Sequence, residues 1–197
     1  LIKSAQWKIR TLINFTANFY LARTQCSCIV PFVDKWQLGG TMVSRITTFA
    51  FDGIDARPVD VQVQLLGGQP HFSIVGLPDK TVAESRERVR AAFASIGLAL
   101  PPKRIIVNLA PADLPKEGSH YDLAIALALL ASINAIPEDA LHNMAAIGEL
   151  SLDGHLQPTY GALPAAIGAE ALELSLICPE SSGAEATWGG GHVIAIK

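Results

Sequence analysis

The residues best suited to chemistry lie close together, in a loop between two strongly apolar segments. Residues 105–109 have the pattern of a strand that is apolar on both faces, and residues 123–133 that of a helix apolar nearly all round. Both segments are therefore expected inside the protein. Carboxyl, amine, hydroxyl and imidazole groups crowd the loop between them, from Asp113, Lys116, Glu117, Ser119, His120 and Asp122. Such a loop is either a functional site or a polar frame for the start of the buried helix.

Ser119, His120 and Asp122 are the residue types of a nucleophile, a base and an orienting acid. In a catalytic triad these side chains converge from separate elements, which close neighbours in sequence rarely do. The Ser119-x-x-Asp122 spacing instead matches a capping box, in which the Ser119 hydroxyl accepts from the backbone N–H of Asp122 and Asp122 stabilises the positive end of the helix. The spacing predicts a structural cap, and we assign no catalytic residue. A serine hydrolase that uses Ser119 with His120 or another base is the alternative.

Nucleotide and metal sites lack their usual sequence patterns. No G-x-x-x-x-G-K-[ST] occurs, so the chain has no phosphate-binding P-loop. The histidines, at positions 71, 120, 142, 155 and 192, show no H-E-x-x-H or comparable ligand spacing. We therefore expect neither a metal nor a cofactor within these residues.

A second candidate surface follows Gly76-Leu77-Pro78-Asp79. Thr81 and Glu84 have capping-box spacing and predict the start of a helix. An apolar stripe along this helix leaves an outer face with three arginines, Arg86, Arg88 and Arg90. Charge runs on helices are usually solvated faces, and we favour that interpretation. The alternative is a direct DNA-binding face.

Charge is distributed unevenly along the chain. Residues 1–41 carry five Lys or Arg and one acidic residue, whereas residues 42–197 have ten basic and 17 acidic residues, a net charge of −7. Residues 117–196 contain ten Asp or Glu and no Lys or Arg, so they cannot supply the phosphate contacts on which nucleic-acid affinity depends. We interpret residues 1–41 as a non-native or disordered extension and residues 42–197 as one domain that begins at Met42.

Cysteine content and hydropathy indicate where in the cell the protein is expected. Three cysteines, an odd number, give no disulfide framework, which favours a reducing, cytoplasmic location. The longest mainly apolar run, interrupted only by Ser132, is the 11 residues from Leu123 to Ile133, which is too short to span a bilayer. No membrane partner is expected.

The order of elements predicts an α/β domain. Residues 44–51 and 59–65 have strand patterns, and Gly67-Gly68 is expected to turn the chain so that residues 71–75 pair back in a hairpin. Asp153-Gly154 predicts another hairpin after the buried helix, and a helix over 163–172 and strands over 174–178 and 193–196 follow. This order predicts a mixed sheet in two layers, with helices mainly on one side.

Several sequence blocks in a fixed order resemble a known family. The blocks are Phe72-Ser-Ile-Val-Gly-Leu-Pro-Asp79, Glu84-Ser-Arg-Glu-Arg-Val-Arg90, Val107-Asn-Leu-Ala-Pro-Ala-Asp113, Lys116-Glu-Gly-Ser119 with Asp122-Leu123, and Gly148-Glu-Leu-Ser-Leu-Asp-Gly154. From Met42 to its end, the chain resembles the amino-terminal domain of the YifB/ComM family of magnesium-chelatase-like AAA+ proteins.

The resemblance implies a domain with the fold of the Lon protease catalytic module, followed by an AAA+ ATPase domain that lies outside these residues. ATP and Mg²⁺ would be bound by that other domain. The partners implied are the protein's own AAA+ domain, neighbouring subunits of a homo-hexamer and, for the full-length protein, DNA. ComM members are linked to branch migration of DNA in natural transformation, so this domain would be a non-catalytic accessory for assembly or DNA positioning.

The Lon resemblance also allows an enzymatic hypothesis to be tested against the residues. The Lon serine follows P-K-D-G-P, and the corresponding stretch here is Pro115-Lys-Glu-Gly-Ser-His120, which aligns His120 with that serine. The Lon lysine follows G-G-L, and here Gly161-Ala-Leu163 is followed by Pro164. A serine–lysine dyad needs a desolvated lysine amine to take the hydroxyl proton, and no lysine occurs between Lys116 and Lys197. Peptidase activity is not expected.

Overall fold

The structure is a computed structural model, and it describes residues 43–197. The interpretation of residues 1–41 as an extension lies outside the described residues. In chain order the strands are β1 (Val43–Asp52), β2 (Asp55–Leu66), β3 (His71–Val75), β4 (Arg104–Ala110), β5 (Met144–Ala146), β6 (Glu149–Leu150), β7 (Leu156–Gln157), β8 (Ser175–Pro179) and β9 (Val193–Ile196). The helices are α1 (Lys80–Ser95), α2 (Asp122–Ser132), α3 (Ala162–Ala171) and α4 (Glu180–Ala186), with short 3₁₀ turns at Glu138–Leu141 and Thr187–Gly189.

Seven strands form one mixed sheet in the order β3-β4-β2-β1-β5-β8-β9. Strand β2 is antiparallel to both of its neighbours, β1 and β4. The remaining pairs are parallel, so every strand of this sheet except β2 runs in the same direction. Strands β6 and β7 form a separate two-stranded ribbon across the predicted Asp153-Gly154 turn.

The predicted hairpin between residues 59–65 and 71–75 is wrong. Strand β4 lies between β2 and β3, and β3 pairs with it in parallel, with Phe72 opposite Ile105. The true hairpin joins β1 and β2, with Asp52 opposite Asp55 at its end. Helix α1 carries the chain from β3 to β4, as a parallel connection requires. The alternation in β2 correctly predicts its buried face, but alternation carries no information about which strand lies beside it.

Helices cover both faces of the sheet, so the predicted two-layer arrangement with helices mainly on one side is wrong. Successive residues of a strand point to opposite faces, and Ile177 of β8 packs in the cluster with α1 and α2, whereas Leu176 and Cys178 pack in the cluster with α3 and α4. The same division separates Ile46 from Phe49 in β1. The central strands therefore lie between two apolar layers.

The N-cap of helix α1 lies two residues before the predicted cap, Thr81. Its N-cap is Asp79, whose backbone is extended and whose side chain accepts from the N–H of Val82 at 2.7 Å. The capping box predicted for Thr81 and Glu84 is therefore wrong, and Glu84 lies 3.9 Å from Lys80 instead. Aspartate is a preferred N-cap residue because its carboxylate accepts a backbone N–H of the first turn that has no partner within the helix.

The two apolar segments around the central loop are largely confirmed. Helix α2 is buried from Asp122 to Ala131. Strand β4 is longer than predicted, and alternate residues Ile105, Val107 and Leu109 are buried. Its second face is only half-buried, and the Asn108 amide on that face donates to Gln62 at 3.1 Å. Within residues 43–197, no helix is both long enough and apolar enough to cross a membrane.

Candidate functional site

The candidate site is the central loop, residues 111–121, which joins β4 to α2. One side of this loop is held by the segment that follows β3. The backbone of Lys116 accepts from Asp79 at 3.0 Å and donates to Leu77 at 3.4 Å. Gly76 lets this segment approach β4, because its φ of +105° is unfavourable for other residues and an added Cβ would overlap the carbonyl oxygen of Leu109.

The other side of the central loop is held by residues 148–150. Gly148 donates to the carbonyl of His120 at 2.9 Å and accepts from the N–H of Leu123 at 3.0 Å. These backbone bonds satisfy groups at the start of α2 that would otherwise be left unpaired by the helix. The beginning of the helix is therefore completed by a segment that lies well downstream in the chain.

The side-chain cap predicted for Ser119 is not formed. The N-cap of α2 is Tyr121, which makes no side-chain cap bond, and the N–H of Asp122 is bonded to the backbone carbonyl of Ser119 at 3.2 Å. The half-buried Ser119 hydroxyl donates instead to the carboxylate of Glu149. Asp122 does lie in the first turn, as predicted, where a negative charge is favourable.

Asp122 and Arg88 form a buried ion pair between α2 and α1. Arg88 Nε lies 2.5 Å from Asp122 Oδ2, and its second guanidinium nitrogen lies 3.0 Å from Oδ1, so the contact is bidentate. The Asp122 side chain is fully buried and that of Arg88 is 17% exposed. Asp122 also accepts from the N–H of Leu150 at 3.1 Å. The pair thus ties both helices to residues 148–150.

Charge and burial act on this pair in opposite directions. The hydrogen bond from Arg88 to Asp122 raises the pKa of the guanidinium, and burial opposes that rise. Burial raises the pKa of Asp122, while the guanidinium holds it down. We regard both groups as charged, because the bidentate contact and the Leu150 N–H compensate the carboxylate directly.

Arg88 is therefore not on the outer face where the helical pattern placed it. Its guanidinium also donates to Ser85 Oγ and to the carbonyl of Thr81, both at 3.2 Å. Ser85 is buried, and residues three apart on a helix are neighbours, so Arg88 lies beside a buried position of the helix. Arg90 is exposed, and Arg86 is half-buried and donates to Glu87 at 2.9 Å.

Lys116 lies inside the protein, whereas Glu117 beside it is exposed. The Lys116 amine donates to the carbonyl of Pro111, at the start of the same loop. Burial lowers the pKa of Lys116, and the charge of Asp113 opposes that change. The side chain therefore closes the loop on itself.

His120 is buried between two aromatic rings. Its ring centroid lies 4.2 Å from that of Tyr121 and 4.8 Å from that of Phe51. Nε2 lies 2.8 Å from the carbonyl of Phe49, which can only accept, so this nitrogen carries the proton and donates. Burial lowers the pKa of His120, with the Phe49 bond opposing the shift.

The candidate residues Ser119, His120 and Asp122 thus lie close together at one loop, but their side chains do not form a catalytic triad. Among residues 43–197, Ser119 is directed to Glu149, His120 to Phe49 and Asp122 to Arg88. No group of three or more potential metal ligands is present in the described residues. Sequence reasoning did not select Glu149 as a site residue, although it lies in the family block that begins at Gly148, because nothing local shows that this block meets the central loop.

The fold and the loop define a class of α/β domain in which a buried polar loop ties two helices to a mixed sheet. The chain belongs to the magnesium-chelatase family: the family model described as "Subunit ChlI of Mg-chelatase" matches residues 61–182. All the sequence blocks that suggested this family fall within the matched range.

Individual relatives agree with that assignment. The chain is 42% identical over 135 residues to the competence protein ComM of Haemophilus influenzae, covering 68% of this chain and 26% of the relative. It is 45% identical over 124 residues to the uncharacterized protein YifB of Escherichia coli, covering 63% of this chain and 24% of the relative. The chain therefore spans about a quarter of the length of the curated relatives it matches.

Proposed function

We propose that this chain is a non-catalytic accessory domain of a magnesium-chelatase-like AAA+ ATPase, serving subunit assembly or DNA positioning during DNA processing. Family membership and the similarity to a competence protein support the role. The ATP and Mg²⁺ of such an ATPase would be bound by a motor domain elsewhere in the protein. The partners would be that motor, neighbouring subunits of a homo-hexamer and DNA, in the cytoplasm.

The observation that carries this proposal is that the polar side chains of the central loop are bonded to other parts of the fold. The buried amine of Lys116 bonds within the loop, and the buried Asp122 carboxylate is neutralised by Arg88. His120 bonds to the first strand and Ser119 to the two-stranded ribbon. Side chains engaged in this way hold elements together, and a nucleophile needs a base and an open approach instead.

We extend the proposal to a Lon-like fold. The stretch Pro115-Lys-Glu-Gly-Ser-His120 resembles the Lon serine region, and it forms the turn into a buried helix. In this view the loop is a Lon-type active-site scaffold with different residues at the catalytic positions. Solving a full-length relative and superposing this domain on a Lon catalytic module would test the extension directly.

The accessory role has two biochemical tests. The 197-residue chain should hydrolyse no ATP above background, and hydrolysis at normal ATP affinity would refute a motor located elsewhere. A chimaera of Haemophilus influenzae ComM that carries residues 43–197 in place of its matching segment should retain competence activity. A chimaera with Arg88→Ala should lose it through misfolding of the domain, and one with the exposed Lys80→Ala should keep it.

One contact favours the serine hydrolase as a second candidate. The Ser119 hydroxyl donates to the Glu149 carboxylate, and Ser119 is only half-buried. A carboxylate can act as a general base for a positioned hydroxyl. Labelling by a fluorophosphonate probe that is lost in Ser119→Ala would establish this activity, and we expect no labelling of either form.

The DNA-binding alternative must use fewer arginines than the sequence suggested. Arg88 is committed to Asp122, whereas Arg90, Lys103 and Arg104 are exposed and have no carboxylate within ion-pair distance among the described residues. Arg90 lies in the second half of α1, Lys103 lies just before β4, and Arg104 is the first residue of β4. With so few phosphate contacts, any DNA affinity would be weak and sensitive to salt.

A further inference from the structure

The exposed surface near one edge of the sheet contains an apolar groove with a positive rim. The groove has a volume of about 450 Å³ and lies between the end of α1, the segment before β4 and the edge strand β3. Phe72, Leu98 and Leu100 are among its apolar walls, and Arg90 and Lys103 are its cations. No carboxylate of the described residues pairs with either cation.

The opposite face of the sheet presents the complementary chemistry. Trp188 is 85% exposed and Ile167 is 54% exposed. The turn that holds Trp188 packs on α3, because an added Cβ at Gly189 would touch the backbone of Ile167. Glu170 lies against Gly191 in the same surface. We call these three side chains, Trp188, Ile167 and Glu170, the Trp188 knob.

The groove and the knob cannot meet within one molecule. They lie on opposite faces of the sheet: α1 and β3 line the groove on one face, whereas α3, which carries Ile167 and Glu170, packs on the other face against β1, β2 and β8. Both features lie at the end of the sheet where its parallel strands begin, since the groove includes His71 and the knob precedes Val193. A second copy whose knob-bearing face is stacked on the groove-bearing face of the first would bring the two features together.

We propose that the Trp188 knob of one copy seats in the groove of a second copy, with Glu170 facing Arg90 and Lys103. The proposal rests on the assembly role proposed above and names the two surfaces through which subunits would associate. A tryptophan side chain buries about 150–250 Å² on docking, and partly desolvated acid–base pairs at the rim select the orientation. Because the two surfaces differ, each added copy leaves a free groove at one end and a free knob at the other, as in a ring or a filament.

Sedimentation velocity of the chain over a wide concentration range tests the proposal. The wild type should form species larger than a dimer, and added salt should weaken them. Trp188→Ala should lower the association constant about 30-fold or more, as loss of a central tryptophan anchor does. Ile54→Ala is the matched control, since Ile54 is 91% exposed in the β1–β2 turn and should leave association unchanged.

Mixing two variants that each retain one of the two surfaces is the most specific test of the interface. Trp188→Ala keeps an intact groove, and Arg90→Glu keeps an intact knob, so each should be monomeric alone and the mixture should form a dimer that grows no further. Both positions are exposed, and circular dichroism should show an unchanged fold. A mixture that stays monomeric, or a Trp188→Ala chain that associates like the wild type, would overturn the proposal.

Two further outcomes also count against this interface. A wild-type chain that is monomeric at every concentration contradicts it, and so does association that appears only after residues 1–42 are removed, which would place that segment in the groove. The ATP-hydrolysis and chimaera tests decide the accessory role independently. An active chimaera with no knob-and-groove association refutes the interface alone.

Discussion

Replacing Arg88 by alanine should destabilise the protein more than any other substitution of an arginine on α1. The change leaves the fully buried Asp122 carboxylate with the Leu150 N–H and without the two guanidinium bonds at 2.5 and 3.0 Å. Breaking a buried ion pair by removing one partner costs roughly 3–5 kcal/mol. For a chain of this size that loss corresponds to a decrease in Tm of roughly 6–20 °C.

Urea denaturation followed by far-ultraviolet circular dichroism measures this loss. Arg86→Ala is the matched control, because Arg86 is on the same helix and its ion pair with Glu87 is substantially exposed. Such surface pairs contribute about 0–1 kcal/mol. The double variant Arg88→Met with Asp122→Leu should recover much of the loss, since it removes both charges and fills the space.

The stability lost in Arg88→Ala should depend on pH, which provides a second test of the buried ion pair. Burial raises the pKa of Asp122 above its ordinary value of 3.8, and removing the guanidinium removes the main opposing influence. A raised folded-state pKa means that the folded protein binds the proton more tightly than the unfolded chain, so the penalty is full at neutral pH. The deficit should shrink as the pH falls through that raised pKa. A loss no larger than that of Arg86→Ala, or one independent of pH, would refute a buried charged pair.

Three further predictions concern the frame of the central loop and its surface. Gly76→Ala should destabilise the fold by about 3 kcal/mol or prevent folding, because its Cβ would overlap a β4 carbonyl at a positive φ, whereas Gly67→Ala has open space and should change the unfolding free energy little. Burial lowers the pKa of His120 below 6.5, so the unfolded chain takes up the proton first and stability should fall by at most about 1.4 kcal/mol per pH unit as the pH drops below 6.5. His120→Gln should lose that part of the slope in urea midpoints, and the exposed control His142→Gln should retain it. Fluorescence anisotropy with labelled duplex DNA should show weak binding that is lost steeply with added salt, and tight binding insensitive to salt would contradict the charge argument.

Local patterns were sufficient to locate most of the elements. The alternation in β2, the continuous apolar run of α2 and the Asp153-Gly154 turn each depend on neighbouring residues, and the structure has all three. The family was also recoverable, because several ordered blocks together are far more specific than any one alone. Helix α4 had no such signal, since its seven residues are all small or acidic and form no apolar stripe.

The central loop contains two contacts that neighbouring residues do not predict. The Ser119 and Asp122 spacing matches a capping box, yet the carboxylate of Glu149 competes for the Ser119 hydroxyl. The arginines of α1 form one charge run in sequence, yet Arg88 alone meets a buried carboxylate. In both cases the deciding partner comes from a distant part of the chain.

The sequence by itself determined most of the helices and strands, the buried faces of β2 and α2, and the family to which the chain belongs. Those properties follow from residue order within one segment, because side-chain period and turn chemistry are local. Tertiary structure alone decided that β4 separates β2 from β3, that helices cover both faces of the sheet, and that Arg88 faces inward. A buried charge or an unpaired backbone group is stabilised by whichever partner the whole fold brings to it, and that partner is not encoded in the neighbouring residues.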